Sequence, residues 1–202
     1  ERMEDFLAGV HGRDNITHAR LALNRKGQFL ALDVETIANI GAYVTSLGPG
    51  SATVAPTPAM GGLYTIPTLS MRVRGTFTNM APIDAYRGAG KPEANYMLER
   101  LIDCAAQQLN KDPSVLRRIN FIKNFPYKNA TGFSIDSGQF ETNLDLALQS
   151  IDYAGFPKRR AASKKIGRLR GIGIGCFLET SRGPADEEAW LRPCSDGSIE
   201  IV

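Results

Sequence analysis

Near residue 90 the apolar residues of this chain stop alternating and begin to recur with a helical period, and this switch limits the fold more than any other feature. Upstream, Ala19, Leu21 and Leu23, then Leu30, Leu32, Val34, Ala38 and Ile40, then Leu69, Met71, Val73 and Phe77 share one side of an alternating pattern. Such alternation belongs to strands with one buried face, because successive side chains of a strand point to opposite sides. Asn24-Arg25-Lys26-Gly27 supplies a turn between the first two runs, which predicts a long antiparallel hairpin followed by a third strand. Downstream, Ala94, Met97, Leu98, Leu101, Ile102, Ala105 and Leu109 fall on one stripe of a helix expected from about Pro92 to Leu109.

The remaining elements follow from local signals. Residues 46 to 63, rich in Gly, Pro, Ser and Thr without periodicity, read as a long irregular loop. Asp112-Pro113 reads as a cap and first residue of a second, short helix that turns Leu116, Ile119 and Ile122 to the core. Thr142 with Asp145 resembles a capping box opening a third. The basic run Lys158 to Arg170 reads as a solvated helix face, and Arg170 to Thr180 and Glu188 to Val202 read as strands. Gly171, Gly173 and Gly175 weaken the first of these two. The expected class is α+β: antiparallel strands, then a helical segment, then further strands. Residues 1-84 are mostly strands, 85-165 hold a glycine loop and helices, and 166-202 are strands, all in one segment 1-202. The two ends fall inside patterns, Arg2 to Phe6 and the strand Ser198 to Val202, and are expected to be cut from a longer chain.

Charge and cysteines narrow the function. A net charge of +3 is too small to imply a nucleic-acid partner. No apolar run approaches the ~20 residues needed to span a bilayer. Cys104, Cys176 and Cys194 form no paired motif, so they are expected to be reduced cysteines of a cytoplasmic protein. His11 and His18 lack metal-site spacing.

Ala85-Tyr86-Arg87-Gly88-Ala89-Gly90-Lys91-Pro92-Glu93 joins the strands to the long helix. A helix leaves its first amides unpaired, and small residues there let an acceptor-rich ligand approach the backbone. The residues alone fit an anion site or a plain tight connection. They exclude a Walker-type phosphate loop, since Pro92 follows Lys91 where that motif requires Ser or Thr.

This stretch resembles the Ala-Tyr/Phe-Arg-Gly-x-Gly signature of the large, molybdopterin-binding subunits of molybdenum hydroxylases, the family of xanthine dehydrogenase, aldehyde oxidase and carbon monoxide dehydrogenase. Arg2-Met3-Glu4, His11-Gly12-Arg13, Tyr64-Thr65-Ile66-Pro67, Asp112-Pro113, Arg117-Arg118-Ile119-Asn120, Phe125-Pro126-Tyr127, Asp136-Ser137-Gly138 and Gly171-Ile172-Gly173 resemble the family in the same order. The resemblance implies a molybdenum–molybdopterin cofactor, the cytosine dinucleotide form included, with Tyr86, Arg87, Gly88 and Ala89 on the cofactor side. It implies an internal fragment of that subunit, inactive alone, whose partners are the rest of the subunit, an iron–sulfur subunit and a flavin subunit.

Departures from the family bear on the substrate. Gly88 stands where authentic carbon monoxide dehydrogenases carry a copper-bridging cysteine, and Ala89 where xanthine oxidases carry a purine-stacking phenylalanine. Ala55 stands where xanthine-type enzymes keep a substrate-binding arginine, so Ala55 and Ala89 are the substrate-pocket candidates. An aldehyde or N-heterocycle hydroxylase is the expectation, with a non-catalytic scaffold derived from the same fold as the alternative. The family's upstream glycine-phenylalanine segment and its downstream general-base glutamate have no counterpart in this sequence. Glu4, Asp84, Glu93, Glu179, Asp186, Glu187 and Glu188 are read instead as solvated charges or caps.

Overall fold

The computed structural model describes residues 2–179 and 188–201. Its centre is a three-stranded sheet, order β1-β2-β3, with helices packed on one face. The α+β class is as expected. A short helix α1 (Arg2–Ala8) precedes the sheet, unannounced by any periodicity in so few residues.

The strands β1 (Asn15–Leu23) and β2 (Phe29–Gly41) form the antiparallel hairpin. Asn24 closes its turn, its side-chain oxygen accepting from the Lys26 and Gln28 amides at 3.0 Å each. The register shifts beside Ala22, so that Ala22 faces Ala31 while Leu23 faces Phe29. Leu30 is thereby the extra residue of a bulge and is exposed, contrary to its expected place beside Leu32 and Val34 in the buried row.

The third strand, β3 (Thr68–Phe77), runs parallel to β2, a correction to the expected all-antiparallel arrangement. Parallel neighbours cannot be joined by a tight turn and need a crossover. Residues 42–67 make it, and the stretch 46–63 is accordingly no irregular loop. It holds α2 (Gly48–Thr53) and a 3-10 turn at Thr57–Ala59 and buries Met60 and Leu63, with Tyr64 and Ile66 buried just after it. These elements are too short for a period to emerge, and Pro49 sits in the first turn of α2, where a missing N–H costs nothing. Leu69, Met71 and Val73 are half-buried as expected, but Phe77 is exposed because the last residues of β3 run past the core.

The long helix α3 (Lys91–Gln108) matches its expected bounds, with Ala94, Leu98, Ile102 and Ala105 buried against the sheet. Next comes α4 (Pro113–Asn120), capped by Asp112, whose carboxylate accepts from the Ser114 amide at 2.7 Å. Leu116 and Ile122 are buried, although Ile122 lies beyond the helix end and Ile119 is only half-buried. Asn120 ties α4 to the hairpin, accepting from Phe29 N–H and donating to the Gly27 carbonyl, both at 2.8 Å.

Past a two-residue pairing of β4 (Tyr127–Lys128) with β5 (Ser134–Ile135), the capping-box expectation fails. Gln139, not Thr142, precedes α5 (Phe140–Ser150); Thr142 lies inside the helix, and Asp145 pairs with Arg118. The basic run begins in α6 (Phe156–Lys165), most of it exposed as expected.

Arg170 to Glu179 is not a strand: it joins no ladder among the described residues. Its alternation is nonetheless expressed, with Ile174, Cys176 and Leu178 half-buried against the core. The stretch Glu188 to Ile201 is a hairpin of β6 (Leu191–Pro193) and β7 (Ile199–Ile201) about the Asp196-Gly197 turn. Thr180, Asp186, Glu187 and Val202 lie outside the described residues. Among the described residues no helix is long and apolar enough to cross a membrane.

Candidate functional site

A small cluster of Ala38, Ile40, Ala52 and Ile83 packs α2 onto the end of β2 and fixes where the glycine loop begins. Ile83 N–H donates to the Ile40 carbonyl at 3.2 Å, and Asp84 N–H to the His11 carbonyl at 2.9 Å. The loop is therefore held on two sides before its first residue.

Two consecutive tight turns follow. Ala89 N–H donates to the Tyr86 carbonyl at 2.7 Å and Lys91 N–H to the Gly88 carbonyl at 2.9 Å. They need positive φ at Gly88 (94°) and Gly90 (80°), conformations that cost other residues steric strain. Gly90 also meets the crossover: a Cβ there would lie 2.5 Å from the Pro56 nitrogen and 2.7 Å from the Ala55 carbonyl carbon. The segment carrying Ala55 is thus packed against the residue that follows Ala89, which brings the two substrate-pocket candidates into one neighbourhood.

Tyr86 and Arg87 are exposed, Gly88 and Ala89 half-buried. The Arg87 and Gly88 amides have no hydrogen-bond partner among the described residues. Tyr86 directs its ring to Arg13, whose guanidinium carbon is 5.1 Å from the ring centroid. Lys91 is tied to Glu179 at 2.9 Å, linking the helix start to the extended segment.

Glu93, expected to be a solvated charge or a cap, is not solvated and makes no capping hydrogen bond among the described residues. It is half-buried in the first turn of α3, with Oε1 3.3 Å from Arg13 Nε, and both that Nε and Glu93 Oε2 are buried without a hydrogen bond among the described residues. Together Arg13 and Glu93 stand at one end of a groove of about 620 Å³ between β1 and α3, lined further by Thr17, Met97, Arg100 and Cys104. Of the other acids, Asp84 accepts from the Ala85 amide and Glu188 is exposed. His18 is exposed on β1, and His11 bridges to Ile83 through its backbone.

Farther along α3 lies a polar hub that sequence reading missed. Arg117 is fully buried and donates to Glu99 at 2.9 Å, Asp103 at 2.9 Å and the Ile174 carbonyl at 2.8 Å. Glu99 also accepts from the Tyr64 hydroxyl at 2.6 Å and the Cys176 amide at 2.8 Å. Burial, then the adjacent Glu99 carboxylate, pushes the Tyr64 phenol far above its ordinary range and raises the Cys176 thiol. Burial works against the Arg117 charge, but Glu99 and the neighbouring groups outweigh it and keep the guanidinium protonated. Glu99 borders the apolar stripe of α3 beyond Ile102 and reads there as a flanking charge, so only its burial shows that it demands a partner.

Comparison with known proteins gives this geometry a family. The molybdopterin cofactor-binding domain family matches residues 1–121. The nicotine 6-hydroxylase large subunit of Paenarthrobacter nicotinovorans is 31% identical, over 100% of this chain and 26% of its own length. The carbon monoxide dehydrogenase large chain of Hydrogenophaga pseudoflava is 34% identical, over 92% of this chain and 24% of its own length. The structure of quinoline 2-oxidoreductase from Pseudomonas putida 86 superposes with a TM-score of 0.84 at 28% identity, covering 100% of this chain and 28% of that one. The chain therefore spans about a quarter of the length of the curated relatives it matches. With a family match over more than half of its residues, this chain belongs to the molybdopterin cofactor-binding domain family, whose relatives here are large subunits of molybdenum hydroxylase-type oxidoreductases.

Proposed function

We propose that this chain is a segment of the large subunit of a cytoplasmic molybdenum hydroxylase, in which Tyr86, Arg87, Gly88 and Ala89 form one wall of the molybdenum–molybdopterin site. The observation that carries this reading is that the Arg87 and Gly88 amides, together with those of Tyr86 and Gly90, have no hydrogen-bond partner among the described residues, in a loop closed by the Ala89 and Lys91 amides. Exposed N–H groups at a glycine-opened helix start suit a ligand that is anionic and rich in acceptors, which fits a pyranopterin dinucleotide and its metal.

When bound, the cofactor supplies the redox chemistry, taking up the electron pair released as a substrate C–H becomes C–OH with oxygen from water. The chain's own residues bind and shape. The Arg87 and Gly88 amides donate to the cofactor, and Ala89 and Ala55 leave an uncharged space beside it. Gly88 offers no thiolate for a second metal, so oxidation of carbon monoxide is not the reaction proposed. The nicotine and quinoline of the relatives' names are N-heterocycles, which favours that class over aldehydes. The general base and the remainder of the cofactor site lie in the rest of the subunit, the electrons pass to iron–sulfur and flavin subunits, and the isolated segment is inactive.

The test is molybdenum and pterin content of the full-length subunit, co-expressed with its neighbours, as wild type and as Arg87→Glu. Stoichiometric molybdenum in the first and its loss in a folded second is the expected result. Absence from both would leave the scaffold reading in its place.

A further inference from the structure

His11-Gly12-Arg13 is remote from the loop in sequence, yet Arg13 touches the loop and its helix three times. Nη2 donates to the Arg87 carbonyl at 3.1 Å, Nε lies 3.3 Å from Glu93 Oε1, and the guanidinium carbon stands 5.1 Å from the Tyr86 ring centroid. The first contact bears directly on the cofactor side. The Arg87 carbonyl and the Gly88 N–H belong to one planar, trans peptide unit and point in opposite directions. Holding the carbonyl toward Arg13 therefore aims the Gly88 N–H away from it.

The loop itself holds that orientation weakly. Tyr86 to Ala89 is a turn closed by the Ala89 amide, with Gly88 in third position at φ 94°, the type II arrangement. Rotating its central peptide converts type II to type I with little displacement of the ends, and glycine in third position accepts both forms. A guanidinium braced between Tyr86 and Glu93, one donor on the carbonyl, removes this freedom. Lysine cannot reproduce the brace fully, because its ammonium is a point charge without a planar fork.

We infer that Arg13 is a positioning residue for the molybdopterin site: by holding the Arg87 carbonyl it sets the Arg87–Gly88 peptide so that the Gly88 N–H faces the cofactor. The inference rests on the cofactor reading above.

The experiment uses the full-length subunit with its partner subunits as wild type, Arg13→Met and Arg13→Lys. Three readouts are taken: molybdenum per subunit after gel filtration, the Mo(V) electron paramagnetic resonance spectrum of reduced samples, and the thermal midpoint. Arg13→Met is expected to stay folded with a midpoint near wild type, to retain about tenfold less molybdenum or lower, and to shift the spectrum of what remains. Arg13→Lys, keeping a donor and the charge, is expected to recover part of that content. Wild-type content and an unchanged spectrum in Arg13→Met would overturn the inference while leaving the cofactor reading intact. Equal loss in both variants, accompanied by a collapsed midpoint, would overturn it too, as the signature of a merely structural residue. A wild type without molybdenum would overturn the cofactor reading itself and the inference with it. If Arg13→Met does not fold, Arg13→Lys decides: a shifted spectrum supports the inference and a wild-type spectrum ends it.

Discussion

Two arginine–glutamate pairs sit along α3 within roughly two turns of each other, and they do different work. Arg117–Glu99 is buried and saturated, Glu99 accepting from Arg117, the Tyr64 hydroxyl and the Cys176 amide while Arg117 also donates to the Ile174 carbonyl, so that four separate stretches of chain meet there. Arg13–Glu93 is half-buried and leaves both Arg13 Nε and Glu93 Oε2 without a hydrogen bond among the described residues, while the arginine's Nη2 holds the carbonyl of an exposed loop. The first pair belongs to the fold, where an unpaired charge is costly and every acceptor is filled. The second stands beside backbone left open, on the loop we propose for the cofactor.

Perturbations that separate stability from occupancy test this contrast. Arg117→Met strands Glu99 in the core and should cost about 3–5 kcal/mol, read as a shift in the denaturant midpoint. A loss below about 1 kcal/mol would mean that the hub is no more structural than the loop pair. Tyr64→Phe removes one donor to Glu99 but keeps the ring stacked on Phe121 at 5.6 Å, and should cost about 1–3 kcal/mol by the same assay.

Asp112→Ala should cost about 1 kcal/mol at neutral pH through the lost cap of α4. Burial would raise the Asp112 carboxyl, but hydrogen bonds from Ser114 and Tyr153 outweigh it and hold the group below its usual range. Because the folded value is depressed, this contribution is fully present above the unfolded value of 3.8 and is lost as pH falls through the lower folded one. The gap between wild type and Asp112→Ala, followed by urea unfolding, should thus stay constant down to about pH 5 and shrink below about pH 4. Asp112→Asn should keep most of the cap and lose this pH dependence. The smallest stability effect is expected for Arg13→Met, about 1 kcal/mol or less, although it is predicted to have the larger consequence for cofactor content. A loss there comparable to that of Arg117→Met would dissolve the distinction between the pairs.

Much of the scaffold was legible because it rests on long periodic runs. The stripe from Ala94 to Leu109 located α3, and Asn24 to Gly27 located the hairpin turn, since these signals are local and repeated. Leu30 and Phe77 broke the pattern for non-local reasons: a bulge displaced one, and the other lies past the end of the core. The crossover at 46–63 was misread because Gly and Pro announce an interruption without saying what short elements fill it. The candidate loop was recognisable as a motif, whereas the roles of Glu93 and Arg13 were not, since a charge in a first helical turn reads equally well as a cap, a surface group or a ligand brace.

By itself the sequence determined the alternation and helical stripe, the turn and cap residues, and the ordered motifs that identify the family. These are properties of neighbouring residues, written in spacing and residue type. Only the tertiary structure decided that β3 lies parallel to β2, that Arg117 and Glu99 share a buried hub, and that Arg13 reaches across to the Arg87 carbonyl. Those pairings join residues far apart in the chain, and their energies depend on burial and geometry that no local spacing encodes.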